Sequence, residues 1–236
     1  MNTLAIDTCD RRGSVSVRID GRTHGLQIHA EEDYSSWLLP AVERSLGAAR
    51  KNFTDLNLLA VATGPGSFTG VRIGLVAVKA WAEVYGIPVV GVSRLEALAR
   101  SVQSEGWIAA SYDAHRGQIF AGLFRRSSGK FERQGDELVI APQEFLSLVR
   151  EQTSGDTVHW VSLDPNLIGQ CGSSEAQPAA EQTFWPAAGR LVNFIGEIGE
   201  ERAARGECSN ILELDANYVR RSDAEIFWKG PAHRAG

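Results

Sequence analysis

Residues 58–86 read LLAVATGPGSFTGVRIGLVAVKAWAEVYG. The opening LLAVAT, residues 58–63, is a short uncharged run of the kind that forms a strand buried on both faces. Residues 70–85 carry only three charges, Arg72, Lys79 and Glu83, which spacing places on one narrow polar stripe of a helix with the rest of its circumference apolar. Between them lies Gly64-Pro65-Gly66-Ser67-Phe68-Thr69-Gly70. A glycine loop between strand and helix is where backbone N–H groups and a helix N-terminus can cradle an anion. The spelling is neither a P-loop, which needs GxxxxGK[ST], nor a dinucleotide fingerprint, since the glycines run GxGxxxG. The alternative is a tight turn with Ser67 or Thr69 capping the helix.

Outward from this unit, residues 3–7, 13–19 and 23–28 alternate or are β-branched and read as three antiparallel strands. DYSSWLLPAVERSLGAARK follows as a helix with Leu38, Val42, Leu46 and Ala49 on one face and Ser35 or Ser36 at its start; Pro40 should kink it or move its start later. PVVGV, 88–92, is a further strand. The order is that of an α/β unit with a mixed sheet. The second half repeats it: WIAASYDA, GQIFAGLFRR and KFERQGDELVI as strands, APQEFLSLVREQ as a helix, TVHWVSL as a strand, and a long helix with Leu191, Phe194, Ile195 and Ile198 on one face. We expect a lobe at 1–105 and another at 106–236, with the last segment packing back on the first. GQCGSSEAQPAAEQ (169–182) reads as a surface loop and the C-terminal tail as frayed.

The 236 residues are 43% hydrophobic and 22% charged, an ordinary soluble composition that argues against disorder. A net charge of −5 removes the broad basic footprint that unaided nucleic-acid or acidic-membrane binding needs, so any RNA contact must be local or shared with a partner. The paired arginines Arg11/Arg12, Arg125/Arg126 and Arg220/Arg221 are the best local phosphate contacts, against the commoner reading of solvated surface. No signal peptide or membrane-length run is visible, which gives an expectation of a cytoplasmic protein. Cys9, Cys171 and Cys208 are odd in number and scattered, so a disulfide framework is not expected.

Asp7 and Thr8, ending the first strand, could hold a metal–phosphate complex, or Asp7 could bond its own turn. The turn DTCDRRG is poor in glycine for a phosphate grip, and Asp10 adds repulsion. Asp113 in YDAHRG repeats the pattern. His24, His29, His115, His159 and His233 form no metal-ligand spacing, and no GxSxG elbow is present.

GPGSFTGVRIG at 64–74 closely resembles the most recognisable block of the TsaB (YeaZ) family of tRNA threonylcarbamoyladenosine (t6A) biosynthesis proteins. LAIDT (4–8), LLP (38–40), GVSRLEALA (91–99), YDAHRGQIFAGLF (112–124) and NYVRRSDAE (217–225) look like that family in the same order. The resemblance covers nearly the whole chain. It implies two lobes of the actin-like ATPase (RNase-H-like) fold and a non-catalytic partner of the similar catalytic subunit TsaD, acting with the ATPase TsaE. ATP and Mg would then be used by the complex rather than by this chain, tRNA met only through the complex, and a homodimer formed when TsaD is absent. Tyr34 stands where many family members have a histidine, removing the remnant of a metal-binding pair. The competing reading is an ATP-dependent transferase or M22-type peptidase acting on its own. On the scaffold reading no residue is catalytic. The partner interface is expected at Leu38, Val42, Gly70, Val71, Gly74, Leu75 and Val78, and a vestigial phosphate loop at Asp7, Thr8, Gly64, Gly66, Ser67 and Thr69.

Overall fold

A computed structural model describes residues 1–29, 33–154, 156–164, 182–184 and 191–219. Its first sheet joins β1 (Asn2–Asp7), β2 (Ser14–Ile19), β3 (Arg22–Ile28), β4 (Leu58–Gly64) and β5 (Val89–Ser93) in the order β3-β2-β1-β4-β5. The first three are antiparallel neighbours, whereas β4 runs parallel to both β1 and β5. The second sheet joins β6 (Gly106–Asp113), β7 (Ile119–Ser127), β8 (Lys130–Ile140), β9 (Val158–Ser162) and β10 (Gln182–Phe184) in the order β10-β9-β6-β7-β8. Read from its other edge, this is the same topology with the same pairing directions. The repeat seen in the sequence is therefore a structural duplication.

The β4 run is apolar throughout because the first sheet is covered twice. Helices α1 (Tyr34–Ala48) and α2 (Phe68–Tyr85) pack on one face and α5 (Leu191–Ala204) on the other. Alternation along β4 divides the work: a Cβ at Gly74 of α2 would lie near Val61, and one at Gly199 of α5 near Ala60 and Leu58. The second sheet lies between α3 (Arg94–Arg100), which also touches α5, and α4 (Pro142–Thr153). Leu95 and Leu98 of α3 pack with Ile108 and Phe124, whereas Phe145 and Val149 of α4 pack with Ala109 and Trp160. Residues 209–219 run from the β5 edge, where Ser209 N–H bonds Val89 O at 2.7 Å, to the end of β4, where Asn217 N–H bonds Thr63 O at 2.7 Å.

Several local expectations change. Helix α1 starts at Tyr34 and runs through Pro40; its N-cap is Asp33, whose carbonyl receives the Ser36 and Trp37 N–H groups. Ser35 and Ser36 lie inside the helix. Helix α3 and strand β10 were missing from the sequence reading, although Ser93 and Glu96 have capping-box spacing and the Ser93 hydroxyl accepts the Glu96 N–H at 3.2 Å. The long helix of the second half is described from Leu191 onward, where Leu191, Ile195 and Ile198 are buried and Phe194 is half-buried. Cys171, Arg220, Arg221 and His233, most of the 169–182 loop and the tail lie outside the described residues.

Candidate functional site

A cleft of about 690 Å³ opens between the two halves. The β1 turn and the Pro65–Phe68 loop form one wall, the β6–β7 turn another, and Ala216–Val219 part of the rim. At its base is Arg94, delivered by the first turn of α3 and 1% exposed. Its Nε meets Asp7 Oδ2 at 3.1 Å and its Nη2 meets Asp10 Oδ2 at 3.4 Å, while the guanidinium lies 4.9 Å from the centre of the Tyr112 ring. Burial alone would push Arg94 down. The Asp7 carboxylate, with that of Asp10 beside it, outweighs burial and holds the group charged, above its ordinary range. Burial also pushes the Cys9 thiol and the Tyr112 phenol up, so both stay protonated.

Three amides of the turn are consumed internally. The Cys9 N–H donates to Asp7 Oδ1 at 2.9 Å, the Arg11 N–H to Asp10 Oδ1 at 2.6 Å and the Gly13 N–H to the Tyr34 hydroxyl at 2.7 Å. Tyr34 in turn donates to the Asp10 carbonyl and stacks on His29 with ring centres 4.2 Å apart. Ser67 N–H donates to Cys9 O at 2.6 Å, and the facing β6–β7 turn spends its His115 N–H on Asp113 Oδ1 at 2.7 Å. This set does not fit a magnesium–polyphosphate group: its carboxylates are engaged by Arg94 and by backbone amides, and those amides have no spare hydrogen. Among the described residues no group of three His, Cys, Asp or Glu converges on a metal-sized site.

The residues expected in a vestigial phosphate loop have divergent fates. Asp7 is fully buried and bonds both its own turn and Arg94. Thr8 donates its hydroxyl to Gly70 O at 2.7 Å. Gly64 is buried, Gly66 presses against Cys9 so closely that a Cβ would sit 2.2 Å from its carbonyl oxygen, and Ser67 caps α2 by accepting the Gly70 N–H at 3.3 Å. Thr69 is exposed within the first helical turn and caps nothing. Only Gly66 and Ser67 of the six line the cleft.

The expected interface residues are corrected as a group. Leu38, Val42, Gly70, Val71, Gly74, Leu75 and Val78 are all buried in this chain, and Val78 is 0% exposed. Gly70 and Gly74 do form a smooth groove, but it receives the β1 turn: a Cβ at Gly74 would lie 2.4 Å from Thr8 Oγ1 and one at Gly70 2.1 Å from Thr8 O. The physical reason is the double coverage of the sheet, which uses the inward side of both helices. Their outward side carries apolar residues beside its charges: Leu39 is 47% exposed, Val76 66%, Val84 73% and Tyr85 43%. Three further residues escaped the sequence reading. Arg94 carries a signal, the one cation in the run VSRLEALA, whose Ser93 and Glu96 have capping-box spacing. Glu137 on β8 accepts from the Ser93 hydroxyl and from Asn217, joining the second sheet to the C-terminal strap, and burial pushes its carboxyl up. Tyr218, on that strap, receives the Arg72 Nε at 2.8 Å.

The family model described as "TsaD: tRNA N6-adenosine threonylcarbamoyltransferase" matches residues 28–160. The tRNA threonylcarbamoyladenosine biosynthesis protein TsaB of Bacillus subtilis is 28% identical over 97% of this chain and 98% of its own length. That of Escherichia coli is 31% identical over 69% of this chain and 71% of its own length. Among solved structures, YeaZ from Pseudomonas aeruginosa matches with a TM-score of 0.73 at 24% identity, covering 92% of this chain and 99% of that one. A ROK hexokinase from Thermus thermophilus shares the fold at a TM-score of 0.52 and 12% identity, covering 86% of this chain and all of that one. The mixed α/β architecture is thus that of YeaZ and the actin-like ATPase and ROK kinase folds, and with over half its length matched by the TsaD-type model and TsaB relatives along nearly all of it, the chain belongs to the TsaB (YeaZ) family.

Proposed function

We propose that this chain serves tRNA t6A synthesis as a non-catalytic subunit that docks and supports a TsaD homologue, with TsaE as a further member of the assembly. The observation that carries the reading is the Asp7–Arg94 ion pair: the carboxylate best placed to hold a metal–nucleotide complex faces a buried guanidinium at 3.1 Å. A metal ion there would have to displace or crowd a fixed positive charge. ATP and Mg are accordingly used by the complex and not by this chain. Docking is assigned to the outward side of α1 and α2, where exposed Leu39, Val76, Val84 and Tyr85 offer apolar surface. The same side serves a homodimer when TsaD is absent, so the two associations compete. No described helix is long and apolar enough to cross a membrane, and the site of action is the cytoplasm with its tRNA.

The test is reconstitution. Purified chain, mixed with its genome's TsaD and TsaE homologues, should give a defined complex by mass and restore t6A formation on tRNA, while the chain alone should neither hydrolyse ATP nor cleave glycoprotein. Turnover by the chain alone that survives purification and is lost on Asp7→Ala would overturn the reading.

A further inference from the structure

We infer that the mouth of the inter-lobe cleft is a local contact for single-stranded RNA, holding one unstacked nucleotide with its base on an aromatic platform and its phosphodiester between arginines; this rests on the t6A reading given above. The platform is Phe68 with Tyr218, ring centres 5.3 Å apart and each ring 41% exposed. Arg72 stiffens it from one face, its guanidinium 3.7 Å from the Phe68 ring centre while its Nε bonds the Tyr218 hydroxyl at 2.8 Å. A cation-backed exposed ring is suited to stacking with a planar base, whose π-face needs no sequence-specific partner.

The cations lie on both walls. Arg11 comes from the β1 turn and Arg116 from the β6–β7 turn, both line the cleft, and both are exposed. Arg116 is held by a left-handed backbone, φ +59°, following His115 at +62°. Among the described residues the Arg11 side chain makes no ion pair. A chain of net charge −5 thus concentrates cations at one concave spot, the local arrangement that its charge requires of any RNA contact.

The amides spent in the two turns, with the carboxylates beside them, disfavour a polyphosphate. A free nucleoside triphosphate needs a nest of N–H donors or a metal for its polyphosphate, and the Cys9, Arg11, Gly13, Ser67 and His115 amides are all spent within the chain. Asp10 and Asp113, both on the cleft wall, add repulsion that a triphosphate would feel most. One phosphodiester, carrying a single charge, is matched by guanidinium groups, and the carboxylates can accept from a base amine or a ribose hydroxyl.

The experiment measures binding of a labelled anticodon stem–loop RNA by fluorescence anisotropy, using the complex of this chain with its TsaD homologue. Phe68→Ala should weaken binding about tenfold, the scale of a lost base–aromatic stack. Arg11→Glu with Arg116→Glu should weaken it further and lower the slope of log affinity against log salt by about 0.7, one single-strand phosphate contact. Lys130→Glu with Arg133→Glu, an equal charge change on exposed positions of β8, is the control and should alter affinity far less. Circular dichroism and co-elution with TsaD accompany each variant. Failure of wild type to co-elute would sink the t6A docking reading itself. Native co-elution with RNA affinity no lower than the control's would overturn the RNA contact alone. So would loss of co-elution in Phe68→Ala, which would make the platform a protein contact, or tighter binding of ATP–Mg than of RNA to the same cleft.

Discussion

Arg94 and Asp7 meet at 3.1 Å with both side chains withdrawn from solvent, 1% and 0% exposed. They stand 87 residues apart in the sequence, and the pair closes the β1 turn. Removing Arg94 leaves the buried Asp7 carboxylate without its counter-ion, and removing Asp7 leaves the buried guanidinium only the half-exposed Asp10 at 3.4 Å. We expect Arg94→Met and Asp7→Asn each to cost about 3–5 kcal/mol in urea unfolding. The double variant should be less destabilised than the sum of the two, because it buries no lone charge from that pair; strict additivity would show that the contact is not formed.

Ser67 and Thr69 are chemically similar neighbours with different tasks. Ser67→Ala should lower stability by about 0.5–2 kcal/mol through loss of the cap. Thr69→Ala, at an exposed site that caps nothing, should stay within about 0.5 kcal/mol of wild type. Thermal melts compare them directly, and an equal loss in both would remove the cap from Ser67.

The two sides of α2 separate folding from association. Val78→Glu and Gly74→Leu should unfold or severely destabilise the chain, the first by burying an unpaired carboxylate and the second by driving a side chain into Thr8. Val76→Glu, at a site 66% exposed, should leave the melt within about 0.5 kcal/mol of wild type while weakening co-elution with TsaD. A folded Val76→Glu chain that binds TsaD normally would place the interface elsewhere.

Glu137 gives a pH signature. Burial raises its folded-state pKa above the usual 4.5, so between those values the folded chain binds more protons than the unfolded one. The linkage slope is then negative, and stability from this group falls as pH rises from 4.5 through the raised value. Glu137→Gln removes the titrating group. The stability of the variant minus that of wild type should therefore grow over that window and level off above it; a difference independent of pH would mean that burial does not shift Glu137.

The burial of Cys9 predicts its chemistry. With the thiol protonated and covered, iodoacetamide should modify exposed Cys208 in the native chain and reach Cys9 only on unfolding. Peptide mass mapping checks this, and native labelling of Cys9 at the Cys208 rate would contradict the buried turn.

Much of the architecture was already written in local pattern. Period-two alternation marked the strands from β1 to β3 and β6 to β8, the uncharged LLAVAT run announced a strand covered on both faces, and the glycine loop marked where β4 gives way to α2. Those signals are local because backbone periodicity and turn chemistry act over a few residues. What tertiary structure decided was direction and pairing. The charges of α2 revealed its outermost line, but only the arrival of α5 on the opposite face of the sheet settled that Val71, Leu75 and Val78 serve the core while Val76 and Val84 remain outside. Arg94 joins Asp7 across 87 residues, and the cleft gathers side chains from the β1 turn, the α2 loop, α3, the β6–β7 turn and the C-terminal strap. Contacts at that separation depend on how two sheets pack through α3 and α5, a property of the closed chain that no window of the sequence contains.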